Sequence, residues 1–486
     1  MSSRNLAALF LAGASALALE VSLTRCFSVM YFYHYAFLII AVAVAGMGAG
    51  AVCAGMRVPE VLFPKGRDKT ALLWFLSAVT TPAALWLVVS FWFMPAKIGL
   101  DAAHTIRFIL TPIFLAPPFF FMGMGVASSF VNSLSKSPLI YGANLAGSGA
   151  GAFAAYYILN AMQCNSAVIF CASFMAAAAL LWKPQGQSET ESKGAFYKKA
   201  AEKTLYAAAI AAAALYPLSS SVDDVFELVP ASGKMLAYIP KDDIIATSYD
   251  AHSRVDIFYQ PLFDAQRMGL WGLSDNCMNA DIPPRKGITI DGWAYTSTFS
   301  PNKDGSLPGF IPCLPSTLAY QALQMQPDDS LIIGSGGGLD VYAALFYKTK
   351  RITAVEINPV INRLLKEERP ELAGGLFNRP EVNLVTEEGR SYVESSKEKY
   401  DFIQLSGVDT YAATASGAMA LCENYLYTTE AMVSYFNKLK PGGSVALTRW
   451  FLPDLDGRPR DEFKLLTLAR DGLEAYGVKN PGDNIL

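Results

Sequence analysis

Charge is scarce in this chain, and what there is lies mostly in its second half. Charged residues make up 17% of the 486 and hydrophobic residues 52%, with a mean hydropathy of +0.27; an average soluble domain is about 25% charged. A single ordinary soluble domain is excluded. The net charge is −3, so no basic excess points to nucleic acid as a partner. Histidine is nearly missing: His34, His104 and His252 are too scattered to suggest a metal cluster. The seven cysteines (Cys26, Cys53, Cys164, Cys171, Cys277, Cys313 and Cys422) form no CxxC pair, and four lie in apolar runs. Their spacing argues against a disulfide framework or a zinc site, and no metal is expected.

What is present divides the chain in two. Residues 1–182 hold long apolar runs, whereas residues 220–486 have the composition of soluble protein. Six apolar segments are read, at about 5–25, 30–55, 71–94, 106–130, 139–162 and 164–182, each reaching the ~20 residues that a bilayer span needs. The first is long, contains Glu20 and Arg25, and is followed by further spans, so it is not read as a cleaved signal peptide. The linker 183–219 contains a short Ala-rich segment, 204–218, whose composition leaves three roles open: spanning, lying at the interface, or packing on the domain.

Basic residues concentrate in the 56–70 connection (Arg57, Lys65, Arg67, Lys69) and the 183–203 connection (Lys183, Lys193, Lys198, Lys199, Lys203). The positive-inside rule puts both, and the N-terminus, in the cytoplasm. Six spans then leave residue 183 and the C-terminal half cytoplasmic, where a nucleotide is available; a spanning 204–218 would put that half outside. Glycines at 46, 48 and 50, at 123 and 125, and at 147, 149 and 151 suit close helix packing in lipid. Glu20, Arg25 and His34 are intramembrane candidates because charge in a bilayer is costly. A Glu–Arg pair, or snorkelling to the headgroups, is the structural alternative.

Residues 220–311 read as a small β-rich subdomain, with SRVDIFYQ alternating and GITIDGWAYTSTF following a charged turn. Residues 312–486 read as a Rossmann-like nucleotide-binding domain. An opening helix is expected at 312–326. From residue 330 the order is strand, glycine loop, helix, strand, with Gly334, Gly336, Gly337 and Gly338 at the first strand's end and Glu356 at the second's. Glycines permit a tight turn and close ligand approach, and an acid about 20 residues on suits a ribose diol. VNLVT, YDFIQLSG and a strand after a Pro-Gly-Gly turn at 441–443 continue the alternation, which implies a doubly wound parallel sheet. Gly336, Glu356, Glu388 and Asp409 fall beyond the strands' carboxyl ends, where ligands bind in such sheets. The chain stops where two further strands are expected, so the sheet is read as truncated.

The motifs IIGSGGG, AVEINP, EEGR, YDFIQLS and LKPGG, with GITIDG before them, resemble the spermidine synthase family and its class I methyltransferase relatives, over about residues 245–450. LALEVSLTR and YGANLAGSGAG resemble the multi-span region fused to some bacterial members. The resemblance implies that S-adenosylmethionine or its decarboxylated form is the co-substrate, with Gly334, Gly336 and Gly338 beside the methionine moiety, Glu356 on the ribose and Glu388 near the adenine amine. It also implies a protein integral to the cell membrane, the inner one of a bacterium. The sequence departs from the family in two places. Gly337 stands where those enzymes carry the Asp of GGGDGG, and in Ser406-Gly407-Val408-Asp409-Thr410 only the second Asp of their D-x-x-D-P segment remains. With two carboxylates fewer, amine deprotonation and cation stabilisation weaken, and transfer from intact S-adenosylmethionine gains. Asp409 is the candidate general base, with a turn-capping Asp as its alternative. Tyr411, Tyr425 and Asp291 are substrate-pocket candidates. The expected partners are the lipid bilayer and a small-molecule or lipid-like acceptor; a homo-oligomer is left open. Two other readings stay open beside the transferase: a nucleotide-sensing scaffold, and a transporter with a regulatory domain.

Overall fold

A computed structural model describes the whole chain except residues 33–34, 59–67, 185–192, 220, 260–276, 278–281, 302–304, 409–424 and 450–459, and leaves out the side chains of 193–199 and 460–462. The described residues form two compact units. One comprises Met1–Tyr238 with Tyr249–Ser253; the other holds Ile239–Ser248 and the described residues from Arg254 onward.

The first unit is helical. Its long helices are α1 (Ser3–Met30), α2 (Ala36–Gly55), α3 (Thr70–Ser90), α4 (Ala102–Val131), α5 (Ser137–Ala161), α6 (Cys164–Leu181) and α7 (Lys193–Leu215). Among the described residues, five of them (α1, α2, α3, α4 and α6) are long and apolar enough to cross a membrane, which makes this a membrane protein. The segment expected at 139–162 does form a helix, α5, but its serines, asparagines and four glycines dilute its apolarity below that of the other five. The glycines act as the small-residue pattern suggested. A Cβ on Gly147 would lie 2.0 Å from the Phe10 carbonyl oxygen, and one on Gly50 would lie 2.1 Å from that of Phe120. So α5 packs backbone to backbone on α1, and α2 on α4, at distances that admit no side chain. Gly48 and Gly149 face open space, so the stripe is one-sided, as a helical period of four requires.

The second unit holds two sheets. β1 (Ile244–Tyr249), β2 (Arg254–Tyr259), β3 (Arg285–Ile290) and β4 (Ala294–Phe299) lie in that order, with β2–β3 and β3–β4 antiparallel. The β2 sequence alternates, yet Val255, Asp256, Ile257 and Phe258 are all buried. Asp256 tolerates this because Arg254 (Nε to Oδ2, 2.8 Å) and the Thr247 hydroxyl (2.8 Å) pair its carboxylate. The main sheet contains β5 (Asp329–Ile333), β6 (Arg351–Glu356), β7 (Val382–Thr386), β8 (Tyr400–Ser406) and β9 (Leu439–Thr448) in the order β7-β6-β5-β8-β9, all parallel. Between them run α8 (Leu339–Phe346), α9 (Pro359–Arg363), α10 (Gly389–Ser395) and α11 (Thr429–Asn437), and α12 (Arg460–Tyr476) follows β9. The sheet order reverses between β5 and β8, the place where such folds bind ligands.

Three details differ from the sequence reading. The 312–326 helix is broken into two 3-10 turns and a short helix, Leu318–Ala322, because Pro312 and Pro315 interrupt it. Pro441-Gly442-Gly443 does not end an element. It bulges within β9, where Tyr400 pairs with Leu439 but Phe402 pairs with Ser444. Cys277 and Cys313 form a disulfide, a pairing across 36 residues that no spacing rule reveals.

Candidate functional site

The glycine loop leaves β5 at Ile333. Its backbone is pinned at the start, where the N–H groups of Gly334 and Ser335 both donate to the Val355 carbonyl (2.8 and 3.1 Å), and closed at the end by Gly338 N–H to Ser335 O, 2.8 Å. Gly334, Gly336 and Gly338 all have positive φ (73°, 49° and 93°), which explains the residue type at these three positions. Gly338 is then the N-cap of α8. Ser335 is buried, and its hydroxyl meets no partner among the described residues, so a polar group of a bound ligand would satisfy it.

Glu356 ends β6 directly beside this loop. One carboxylate oxygen accepts the Gly336 N–H (2.9 Å) and the other the Asn358 N–H (2.8 Å). Burial raises its pKa, opposed by those backbone N–H groups. Each oxygen keeps a lone pair, so the carboxylate fits the ribose diol that its position suggests. Asn358 caps α9 through Val360 N–H (3.0 Å) and keeps that turn fixed.

Glu388 follows β7 and is the N-cap of α10. Its oxygens accept Arg390 N–H (3.0 Å), Ser391 N–H (2.8 Å) and the Ser391 hydroxyl (3.0 Å). Its carboxylate thus caps the helix start. Asp291 is similarly occupied. It sits at positive φ (49°) in the β3–β4 turn with Gly292 (69°), and its Oδ1 accepts the Arg254 N–H at 2.9 Å. Tyr425 is exposed, and its carbonyl accepts from Arg390 Nη1 at 3.2 Å. Asp409, Tyr411 and His34 lie outside the described residues. In the helical unit Arg25 is buried and Glu20 half-buried within α1. The structure thus brings the glycine loop and Glu356 together, sets Glu388 at the end of the neighbouring strand, and keeps Glu20 and Arg25 in the other unit.

Gly337, the position of the missing family carboxylate, has no room for one. A Cβ there would lie 2.1 Å from the Ser297 carbonyl oxygen of β4, while Gly337 N–H donates to the Thr296 hydroxyl at 3.2 Å. The β-rich sheet closes over the loop where the family Asp would stand. The sequence reading missed a different carboxylate, Asp340, in the first turn of α8. It is buried, and burial pushes its pKa up to about 6, with the hydroxyls of Ser406 and Ser316 pulling the other way. Gln404, fully buried on β8, donates to the Ser316 carbonyl (2.9 Å) and accepts from the Tyr320 hydroxyl (3.2 Å). Its polar side chain in an apolar strand was the available signal for this network. Among the described residues no group of His, Cys, Asp or Glu is arranged to hold a metal ion.

Residues 318–449 match the family model of the spermine/spermidine synthase domain. Over 122 residues the chain is 34% identical to a polyamine aminopropyltransferase of Korarchaeum cryptofilum, covering 25% of this chain and 35% of that protein. Over 161 residues it is 28% identical to polyamine aminopropyltransferase 2 of Pseudomonas aeruginosa, covering 33% and 43%. The chain spans about a third to two fifths of the length of these curated relatives. Two solved structures are similar at a TM-score of 0.30. A spermidine synthase in complex with the transition-state analogue AdoDATO is 15% identical, covering 49% of this chain and 64% of that one. The spermidine synthase from Thermotoga maritima is 17% identical, covering 49% and 65%.

Proposed function

We propose that this chain, which carries a spermidine synthase-like domain behind its apolar helices, is a membrane-anchored transferase that takes an alkyl group from an S-adenosyl sulfonium, intact or decarboxylated. The observation that carries this reading is the glycine loop hydrogen-bonded to Glu356 at the ends of adjacent parallel strands, inside the segment that matches the synthase domain. The acceptor's lone pair attacks a carbon bonded to the sulfonium sulfur. The carbon–sulfur bond breaks, its electron pair neutralises the sulfur, and the acceptor loses a proton. Glu356 would hold the ribose and Ser335 a polar group of the ligand; Asp409 is the proposed base. Alignment of the two reactants would supply most of the rate. The helical unit favours a small-molecule or lipid-like acceptor.

A second reading, nucleoside binding without transfer, is favoured by one observation: the backbone of β4 fills the space that a carboxylate at Gly337 needs. Binding of S-adenosylmethionine and of its decarboxylated form to detergent-purified full-length protein, with Glu356→Ala as control, separates these outcomes. Preference for the intact form, lost in the variant, supports methyl-type transfer; preference for the decarboxylated form supports aminopropyl transfer. A folded protein that binds neither refutes both readings.

A further inference from the structure

We infer that the α/β unit stands on the membrane face opposite the basic connections, outside the cytoplasm. This goes beyond the transferase reading and does not rest on it.

The hydrogen bonds of the helical unit define its two ends. At one end Asn5 Nδ2 donates to the Lys183 carbonyl (3.0 Å), and Lys183 N–H returns to Asn5 Oδ1 (2.9 Å). Trp182 Nε1 and Asn132 Nδ2 both donate to the Asp68 carboxylate (2.8 and 3.4 Å). The starts of α1 and α3 and the ends of α4 and α6 therefore lie together. At the other end Phe93 N–H donates to the Tyr31 hydroxyl (3.3 Å), and Ala231 N–H to the Met30 carbonyl (2.6 Å). The buried Lys234 ammonium donates to the Val29 carbonyl (2.9 Å) and to that of Ser28. Asn165 Nδ2 donates to Asp223 Oδ1 (3.0 Å) and to the Phe226 carbonyl (3.2 Å).

The last pair of contacts decides the matter. α6 has 18 residues, about 27 Å at 1.5 Å per residue. The chain is at Lys183 at the end of α6 and at Asp223 beside its start. Between them lies α7, whose 23 residues extend about 35 Å. So α7 makes the return crossing, even though only its second half is apolar. This resolves segment 204–218 in favour of spanning. Residues 223–238, which lead into the α/β unit, are at the end away from Lys183.

The two ends differ in charge. The connections 56–70 and 183–203, at the first end, carry the chain's basic clusters, whereas the second end has Lys97, Arg107 and Lys234 beside Asp101, Asp223, Asp224 and Glu227. The positive-inside rule makes the first end cytoplasmic. An independent observation agrees. The disulfide Cys277–Cys313 belongs to the α/β unit, while the described free cysteines Cys26, Cys53, Cys164 and Cys171 are all in α1, α2 and α6. Disulfides persist in oxidising compartments and are rare in the cytosol. The cytoplasmic placement expected from a nucleotide requirement is thereby reversed. A sulfonium nucleoside then has to be delivered to the outer face, and the acceptor is drawn from that side.

The test is labelling of single-cysteine additions in the full-length protein with a membrane-impermeant maleimide, in intact and in permeabilised spheroplasts. Ser135→Cys marks the first end, Leu100→Cys the second, and Lys397→Cys the α/β unit; all three positions are exposed. Residues 100 and 397 should label in intact spheroplasts and residue 135 only after permeabilisation, with Cys277 and Cys313 resisting alkylation until reduced. Labelling of 397 only together with 135, or free Cys277 and Cys313 thiols in the native protein, overturns the inference. Alkaline phosphatase and green fluorescent protein fused after Leu486 give the same decision should a cysteine variant not accumulate: an active phosphatase supports it, a fluorescent fusion sinks it. Glu356→Ala should leave every one of these readouts unchanged, so loss of nucleoside binding and loss of this topology are separate failures.

Discussion

Replacing Asp340 by Asn should stabilise the α/β unit at neutral pH and leave it level with wild type in acid. The folded state holds this carboxyl at a pKa of about 6, against 3.8 as the ordinary value. Because the folded pKa is the higher one, protonation favours folding. The contribution is fully present below about pH 3.8, declines as pH rises, and is gone above about pH 6. At 1.36 kcal/mol per pKa unit, the shift of roughly two units corresponds to about 3 kcal/mol. Asn keeps the shape and one acceptor oxygen for the Ser406 hydroxyl but never ionises. For a unit of this size, about 1 kcal/mol moves the midpoint by roughly 2–4 °C. The midpoint of D340N in detergent should therefore exceed that of wild type by roughly 6–12 °C at pH 8, and the gap should close as pH falls to 4. Other carboxylates, Glu356 included, titrate in both proteins and cancel in the difference. A gap independent of pH would refute the reasoning, because an uncharged packing effect has no such dependence. So would a variant less stable at every pH.

Gly147→Leu should lower the melting midpoint of the helical unit or abolish its accumulation, whereas Gly149→Leu, facing open space, should not; equal behaviour would rule out the close α1–α5 packing. Gly337→Asp, which restores the family's residue type, should not create aminopropyl transfer and should instead destabilise the loop, since its Cβ meets the Ser297 carbonyl oxygen; a well-folded variant with new transfer activity would contradict this. Glu388→Ala should cost about 1 kcal/mol through loss of the α10 cap, seen as faster amide exchange in residues 389–395, while retaining nucleoside binding. Loss of binding without loss of protection would return Glu388 to the ligand.

Much of the fold was legible because its signals are local. The run Leu331–Ile333, the clustered glycines and Glu356 fix a strand, a turn and an acid through residue type alone, and the five strands of the parallel sheet fall where apolar runs alternate with helical patterns. The long apolar helices are equally plain. What the sequence did not disclose depends on residues distant in the chain. Nothing near Gly337 announces that Ser297, forty residues earlier, closes over it. Cys277 and Cys313 look like two unrelated thiols until the fold brings them together. That Glu388, placed beyond the end of β7, also caps α10 through the Arg390 and Ser391 N–H groups is a further feature that only the fold shows.

Such structural roles bear on the site as a whole. A synthase-type pocket needs negative charge close to a sulfonium and an amine, and charge placed there must be reachable. In this chain three carboxylates of the parallel-sheet unit are tied into structure: Glu356 to two backbone N–H groups, Glu388 to a helix start, and Asp340 buried in the first turn of α8. Of these three, Glu356 is the one whose two oxygens each accept a single backbone N–H. Beside the glycine loop Glu356 is held by two backbone N–H groups, while the backbone of β4 fills the space that a carboxylate at Gly337 would need.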